Sequence, residues 1–297
     1  MIKVSIDLVI DHLEAKNLLF QYEGPFDLVF DSIRSLTNFS QKSISFYRGN
    51  DPSVINDFKL ADRLLIIKLS MYTYCSKQSN ILAVENPDLA ICYIGQLFEA
   101  KSPIGVHPTA VIHLDAMIYE PCSIAANVVI GEDVVIGPDV RIEEGAVIKH
   151  CTIGANTHIF PGVKIGSSGL GSHRDETGEW HHFPHTGSVV IGSNVTIQDN
   201  CIIARGSLNQ TIIEDGVVIG PLSCIAHGAH IKKNAFISQS VTVAGSVVIE
   251  EGSIVWGNAS IRDGLKIGAH STIGMGAVVV KNVIAGSTVF GNPAKPR

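Results

Sequence analysis

Residues 225–249 read Ile225-Ala-His-Gly-Ala-His-Ile231-Lys-Lys-Asn-Ala-Phe-Ile237-Ser-Gln-Ser-Val-Thr-Val243-Ala-Gly-Ser-Val-Val-Ile249. Every sixth position is Ile or Val, and the pattern runs without a miss from Ile213 to Val279. A helix repeats its apolar positions about every 3.6 residues and an ordinary strand about every two. A six-residue period instead suits short strands that each form one side of a triangular coil, with one aliphatic side chain pointing inward per side. Three hexads complete a coil, so residues eighteen apart become neighbours in adjacent coils. The stretch therefore predicts a mainly β protein built on a parallel β-helix of hexapeptide repeats.

Outward from this stretch, the same register appears at Ile112, Ile118, Ile124, Ile130, Ile136, Ile142 and Ile148, steps by five to Ile153, and continues through Ile159 and Ile165. It returns at Ile191, Ile197 and Ile203. The solenoid domain is thus expected over residues 104–297. In a solenoid each coil touches only its neighbours, so insertions must leave sideways as loops. Two breaks, near 166–188 and 205–211, are expected to project in this way, and projecting loops often carry function. Residues 1–103 lack the hexad. Strand-like runs (Leu64 to Leu69, Asn80 to Val84) alternate there with helix-like ones (Ile6 to Leu18, Pro87 to Phe98), which predicts a small N-terminal α/β domain. Lys101-Ser102-Pro103 is the expected joint.

The formal net charge is −6 with both signs interspersed, which points away from a nucleic-acid partner. No run of eighteen apolar residues exists, so no membrane span is expected; the mean hydropathy of +0.27 reflects the inward ladder. Lys3, Asp7 and Asp11 near the start do not fit a secretory signal. The six cysteines, at 75, 92, 122, 151, 201 and 224, show no metal or disulfide spacing and read as small buried hydrophobes of a cytoplasmic protein.

His227 follows the inward Ile225 by two residues, and Gly245 follows Val243 by two, one coil later. Adjacent strands lie about 4.8 Å apart, so the two are expected side by side. An imidazole beside a backbone N–H is the arrangement of a general base with an oxyanion donor. A lone histidine is equally compatible with a surface or hydrogen-bonded role, and glycine is common in such hexads.

Further motifs are more specific. The first break holds Gly166-Ser-Ser-Gly169-Leu-Gly171, then Gly178-Glu-Trp180, then Phe183-Pro-His185-Thr-Gly187 before Val189-Val190-Ile191-Gly192. The second reads Ile203-Ala204-Arg205-Gly206-Ser207-Leu208, followed by Thr211-Ile212-Ile213. With Cys224-Ile225-Ala226-His227, Ala244-Gly245-Ser246, Ile44-Ser45-Phe46 and Asn86-Pro87, the chain resembles the UDP-3-O-acylglucosamine N-acyltransferase family of lipid A biosynthesis. The resemblance implies a left-handed β-helix, a cytoplasmic homotrimer with active sites between subunits, and a nucleotide-binding N-terminal domain. It places the base on His227 and the oxyanion donor on Gly245. The nucleotide sugar is expected at Phe46, Asn50, His185 and Arg205, and the acyl donor along Asn258, Gly276 and Lys295. No permanently bound cofactor and no metal are implied; the acyl-CoA or acyl carrier protein is a co-substrate.

The sequence departs from that family's pattern in three places. The Asp-Asn pair that precedes the family histidine by seven and six residues falls on Gly220 and Pro221, so the acid partner of the base is missing. A second family histidine falls on Gly264. The family's helical extension is replaced by Gly291-Asn-Pro-Ala-Lys295-Pro-Arg297, which, with Gly274-Met-Gly276 before it, is similar to the CoA-dependent acetyltransferases of nucleotide-linked amino sugars. The main expectation is accordingly an N-acyltransferase that moves an acyl group from a thioester, acyl-CoA foremost, to the amine of a UDP- or dTDP-linked amino sugar for surface polysaccharide or lipopolysaccharide. The alternative is the lipid A enzyme itself, using a 3-hydroxyacyl carrier protein. A zinc site built from His181, His182, His185, His227 or His230 and an inactive scaffold are the competing readings.

Overall fold

The computed structural model describes residues 2–56, 61–75, 80–100 and 102–296, so Lys101 of the expected joint and the final Arg297 lie outside the described residues. The chain divides into two compact units, Met1–Lys101 and Ser102–Arg297.

In the first unit, a sheet in the order Phe20–Glu23, Ile81–Val84, Leu64–Lys68, Ser43–Phe46, Ser32–Ile33 is parallel except at its Phe20–Glu23 edge. Leu64, Leu65, Ile66 and Ile67 are all fully buried. That is the continuous apolar run of a strand covered on both faces. One face packs against the helices Ile6–Ala15 and Pro87–Phe98 through Ile6, Val9, Leu13, Ala90 and Ile94; the other meets Ile55, Met71 and Cys75. Ser5 and Asn86 cap these helices, their side-chain oxygens accepting from Leu8 N–H at 3.3 Å and Leu89 N–H at 3.1 Å. The first helix ends before the expected Leu18 because Asn17 turns left-handed, with φ 55°. Cys92 departs from the expected burial: it faces solvent from the second helix, off the stripe of Ala90 and Ile94.

The second unit is the predicted solenoid. Three parallel sheets form its sides, and the register stacks Ile225 on Val243 and Val243 on Ile261. The inward residues are sealed: Ile225, Ile231, Ile237, Val243 and Ile249 are each 0% exposed. Burying such a side chain contributes about 1.5–3 kcal/mol, which is why the ladder dictates the fold. The corners require a left-handed backbone, so Gly216, Asn234, Gly252 and His270 stack down one edge with φ of 69°, 55°, 61° and 54°. Glycine and asparagine enter that region at least cost. The five-residue step is absorbed by pairing Ile136 with Ile153 around a tight corner at His150.

Both breaks leave the coil as loops. The first carries an antiparallel hairpin, Ser172–Arg174 with Trp180–His182. The second joins Ile202–Ala204 to Gln210–Ile213. At the far end, Thr288–Phe290 continues one sheet and Lys295–Pro296 folds back on it antiparallel. Among the described residues no helix is long and apolar enough to cross a membrane.

Candidate active site

His227 and Gly245 sit at a corner in adjacent coils, in the turns that follow Cys224–Ile225 and Thr242–Val243, rather than on a flat strand face. The imidazole lies directly over Gly245: a Cβ there would stand 2.7 Å from His227 Cε1 and 2.9 Å from Nε2. Glycine is therefore required so that the ring can lie against the next coil. Gly245 O accepts from Gly264 N–H at 2.9 Å, whereas among the described residues the Gly245 N–H has no acceptor. An imidazole edge and a backbone N–H without an acceptor among the described residues thus lie at the same corner.

The position where the family pattern has the acid is closed to any side chain. Gly220 cannot carry a side chain, since a Cβ would lie 2.6 Å from the Ser238 carbonyl carbon of the next coil. The His227 ring is instead met from the second loop, where Ser207 Oγ lies 3.2 Å from Nδ1. That loop is laced to the roots of the first. Arg205 donates from its backbone N–H to Ser167 O at 3.0 Å and from Nε to Gly187 O at 2.5 Å, while Thr186 N–H donates to Ser207 O at 2.8 Å. On the other side of His227, the Gly228 N–H donates to Thr211 Oγ1 at 2.9 Å, which holds the turn. Ser207 lies in a segment that leaves the coil, so no hexad spacing points to it, whereas Thr211 is in register with Ala229 one coil later.

The first loop covers the remaining side. His185 is 6% exposed, and its ring stands edge-on to that of His227 with centroids 5.2 Å apart. Gly169 passes beside both rings: a Cβ there would lie 3.0 Å from both His185 Nε2 and His227 Cδ2. Burial, above all, pushes the His185 imidazole below its ordinary pKa, with the nearby His227, His182 and Arg205 acting in the same direction against the hydrogen bond to Phe183.

Among the described residues the histidines of the competing zinc reading do not converge on one point. His182 stacks on His185 with centroids 5.8 Å apart, but His181 turns away and donates to Asp175 Oδ2 at 2.7 Å. Asp175, Glu179 and His181 bring their ligand atoms within 4.8 Å of one another on the exposed hairpin, where the pairing already satisfies His181 and Asp175. His230 is likewise tied to Glu214, at 2.7 Å.

Comparison with known proteins decides the class. The GMPPB C-terminal domain model matches residues 101–208. UDP-3-O-acylglucosamine N-acyltransferase 2 of Legionella pneumophila is 34% identical over 254 residues, covering 79% of this chain and 74% of that protein. The UDP-3-O-acylglucosamine N-acyltransferase of Acinetobacter baumannii strain AYE is 32% identical over 244 residues, covering 75% and 68%.

The chain belongs to the UDP-3-O-acylglucosamine N-acyltransferase family.

It is an N-acyltransferase with a left-handed β-helix. Among solved structures, LpxA of Acinetobacter baumannii matches with a TM-score of 0.60 at 27% identity, over 65% of this chain and 73% of that one. LpxA of Bacteroides fragilis, a UDP-N-acetylglucosamine acyltransferase, matches with a TM-score of 0.60 at 26% identity, over 65% and 74%. These relatives favour the alternative expectation, the lipid A enzyme, over the broader CoA-dependent acetyltransferase.

The other expected site residues are spread out. Phe46 ends a strand of the first unit half-buried, with the Arg48 guanidinium 5.0 Å above its ring and Arg48 Nε 2.6 Å from Asp88 Oδ1. Asn50 accepts from Lys68 Nζ at 2.9 Å. Asn258 and Gly276 are exposed corner residues of adjacent coils with φ of 60° and 67°, and Lys295 is exposed on the terminal strand. Gly264, on which the second histidine of the family pattern falls, is another left-handed corner, with φ 67°.

Proposed function

We propose that this chain transfers a 3-hydroxyacyl group from the thioester of an acyl carrier protein to the amine of UDP-3-O-acylglucosamine, with His227 as base. The observation that carries this reading is the His227 imidazole seated on Gly245, whose N–H is free. The neutral amine attacks the thioester carbonyl: a C–N bond forms and the π electrons move to oxygen, where the Gly245 N–H donates to the oxyanion. His227 Nε2 takes the proton that the amine nitrogen sheds. As the tetrahedral centre collapses the C–S bond breaks, and the thiolate leaves with the proton returned by His227. Ser207 acts as a positioning residue: by accepting from Nδ1–H it leaves Nε2 unprotonated and turned toward the substrate.

In this reading the first unit holds the uridine nucleotide at Phe46 and Asn50, the second carries the chemistry, and the working form is a homotrimer. Asn258, Gly276 and Lys295 border the path of the donor's pantetheine arm. The test supplies the purified protein with UDP-3-O-acylglucosamine and either 3-hydroxyacyl carrier protein or acetyl-CoA, and follows free thiol. Release from the carrier protein is the expected result. Release from acetyl-CoA alone, with a different UDP- or dTDP-amino sugar as acceptor, would return the enzyme to the broader acetyltransferase class.

A further inference from the structure

His185 has a feature that sugar binding in general does not explain. Its Nδ1 lies 3.0 Å from Phe183 O. A carbonyl only accepts, so Nδ1 carries the proton and the neutral ring presents Nε2 as a bare lone pair. That Nε2 is buried and has no hydrogen-bond partner. Native interiors seldom leave such an acceptor unmet, because it has lost water and gained nothing. The depressed pKa of the ring, caused chiefly by burial, keeps it unprotonated near neutrality, so the lone pair stays available.

The location matters. His185 Nε2 and His227 Cδ2 both lie 3.0 Å from the point where a Gly169 Cβ would be, so the lone pair opens onto the flank of the base. What covers it is backbone: Gly169 and Gly171 have no side chains, and Leu170 between them is 90% exposed. Gly171 O is held by Phe183 N–H at 2.7 Å, whereas Gly169 takes part in none of the backbone hydrogen bonds of the described residues.

We propose that His185 Nε2 is a second acceptor for the attacking amine, and that the His227–His185 pair selects an amine over a hydroxyl on the acceptor sugar. This rests on the reading given above for the site. A primary amine has two N–H groups and one lone pair. If the lone pair is to face the thioester carbon, both N–H groups need acceptors: His227 Nε2 receives one and then the proton, and His185 Nε2 holds the other. A hydroxyl has a single O–H, so one donated to His227 would leave the buried His185 Nε2 bare. Buried polar groups left unpaired by the wrong substrate are a strong source of discrimination.

The experiment compares wild type, His185→Phe and His185→Gln. It measures kcat/KM for UDP-3-O-acylglucosamine and the inhibition constant of the analogue carrying a hydroxyl in place of the amine. His185→Phe is expected to lower kcat/KM for the amine roughly tenfold to a hundredfold, to change binding of the hydroxyl analogue less than about threefold, and so to erase most of the preference. His185→Gln, which restores an acceptor oxygen, is expected to recover much of it. Equal weakening of amine and hydroxyl ligands, or an unchanged kcat/KM in His185→Phe, would overturn the assignment. Should His185→Phe not fold, wild-type protein labelled with 15N-histidine decides: an unprotonated Nε2 resonance that shifts with the amine and not with the hydroxyl analogue supports the proposal, and an Nε2–H tautomer or no selective shift refutes it. If wild type transfers no acyl group to the amino sugar, the functional reading fails and this proposal with it; normal transfer with an unaltered preference in His185→Phe sinks the role of His185 alone.

Discussion

A methyl group is the smallest change that interrogates the corner of His227 and Gly245. In Gly245→Ala the new Cβ would stand 2.7 Å from His227 Cε1, so the imidazole must leave its seat. Turnover is expected to fall about as far as in His227→Ala, ~10²–10⁴-fold for loss of a positioned base, with the melting temperature changed little in either variant. Steady-state kinetics beside thermal melts check this, and an active Gly245→Ala would show that the ring need not lie there. Ser207 is probed by how its loss divides between kcat and KM. Ser207→Ala removes the hydroxyl 3.2 Å from Nδ1 and should lower kcat with little effect on KM. Ser207→Thr, which keeps a hydroxyl there, should retain most of kcat. An unchanged kcat in Ser207→Ala would mean that the hydroxyl does not hold the His227 ring in solution.

At the scale of single elements, the hairpin of the first loop hangs on one carboxylate. Asp175 Oδ1 accepts from the N–H groups of Thr177 and Glu179, both at 2.9 Å, and Oδ2 from His181 at 2.7 Å. The His181 bond first, then those of Thr177 and Glu179, hold its carboxyl down to about 2. A depressed carboxylate keeps its bonds above its ordinary range and loses them as pH falls toward the lowered value. Amide protection at Thr177 and Glu179 is therefore expected to be level from neutrality to about pH 4 and to decline below it; in Asp175→Ala it should be weak at every pH while the coil amides are unchanged. Hydrogen exchange resolves the two patterns. A second prediction concerns the inward ladder. Ile225 and Ile267 are both 0% exposed, so either change to Ala should cost about 2–5 kcal/mol in denaturant melts. Only Ile225 carries the turn of His227, so Ile225→Ala should also depress kcat well beyond Ile267→Ala. Matched activities at matched stability would show that the corner is held from elsewhere.

Across the whole molecule, two units with separate cores are expected to unfold separately, the solenoid as one stack because each coil is stabilised by the next. Equilibrium unfolding followed by far-UV circular dichroism should show two steps, and a single coincident transition would argue that the units fold as one. The reach of the sequence differs sharply between fold and site. The ladder from Ile213 to Val279 suffices for the architecture, because an inward aliphatic at every sixth residue has only one way to leave water. The same period carries His227 to Gly245, one coil apart, since the register is regular there. It fails at Ser207, His185 and Gly169, which lie in segments that leave the coil. Their positions depend on the lacing of one loop to the other through Arg205, Thr186 and Gly187, and no spacing rule governs contacts between two insertions. Gly220 shows the complementary case: its departure from the family acid is visible in the sequence, but its cause, the carbonyl carbon of Ser238 at 2.6 Å from any Cβ, is a matter of how closely neighbouring coils stack. Periodic burial is local and additive and can be read along the chain; the geometry of the candidate site is set by packing between loops, which exists only once the chain has folded.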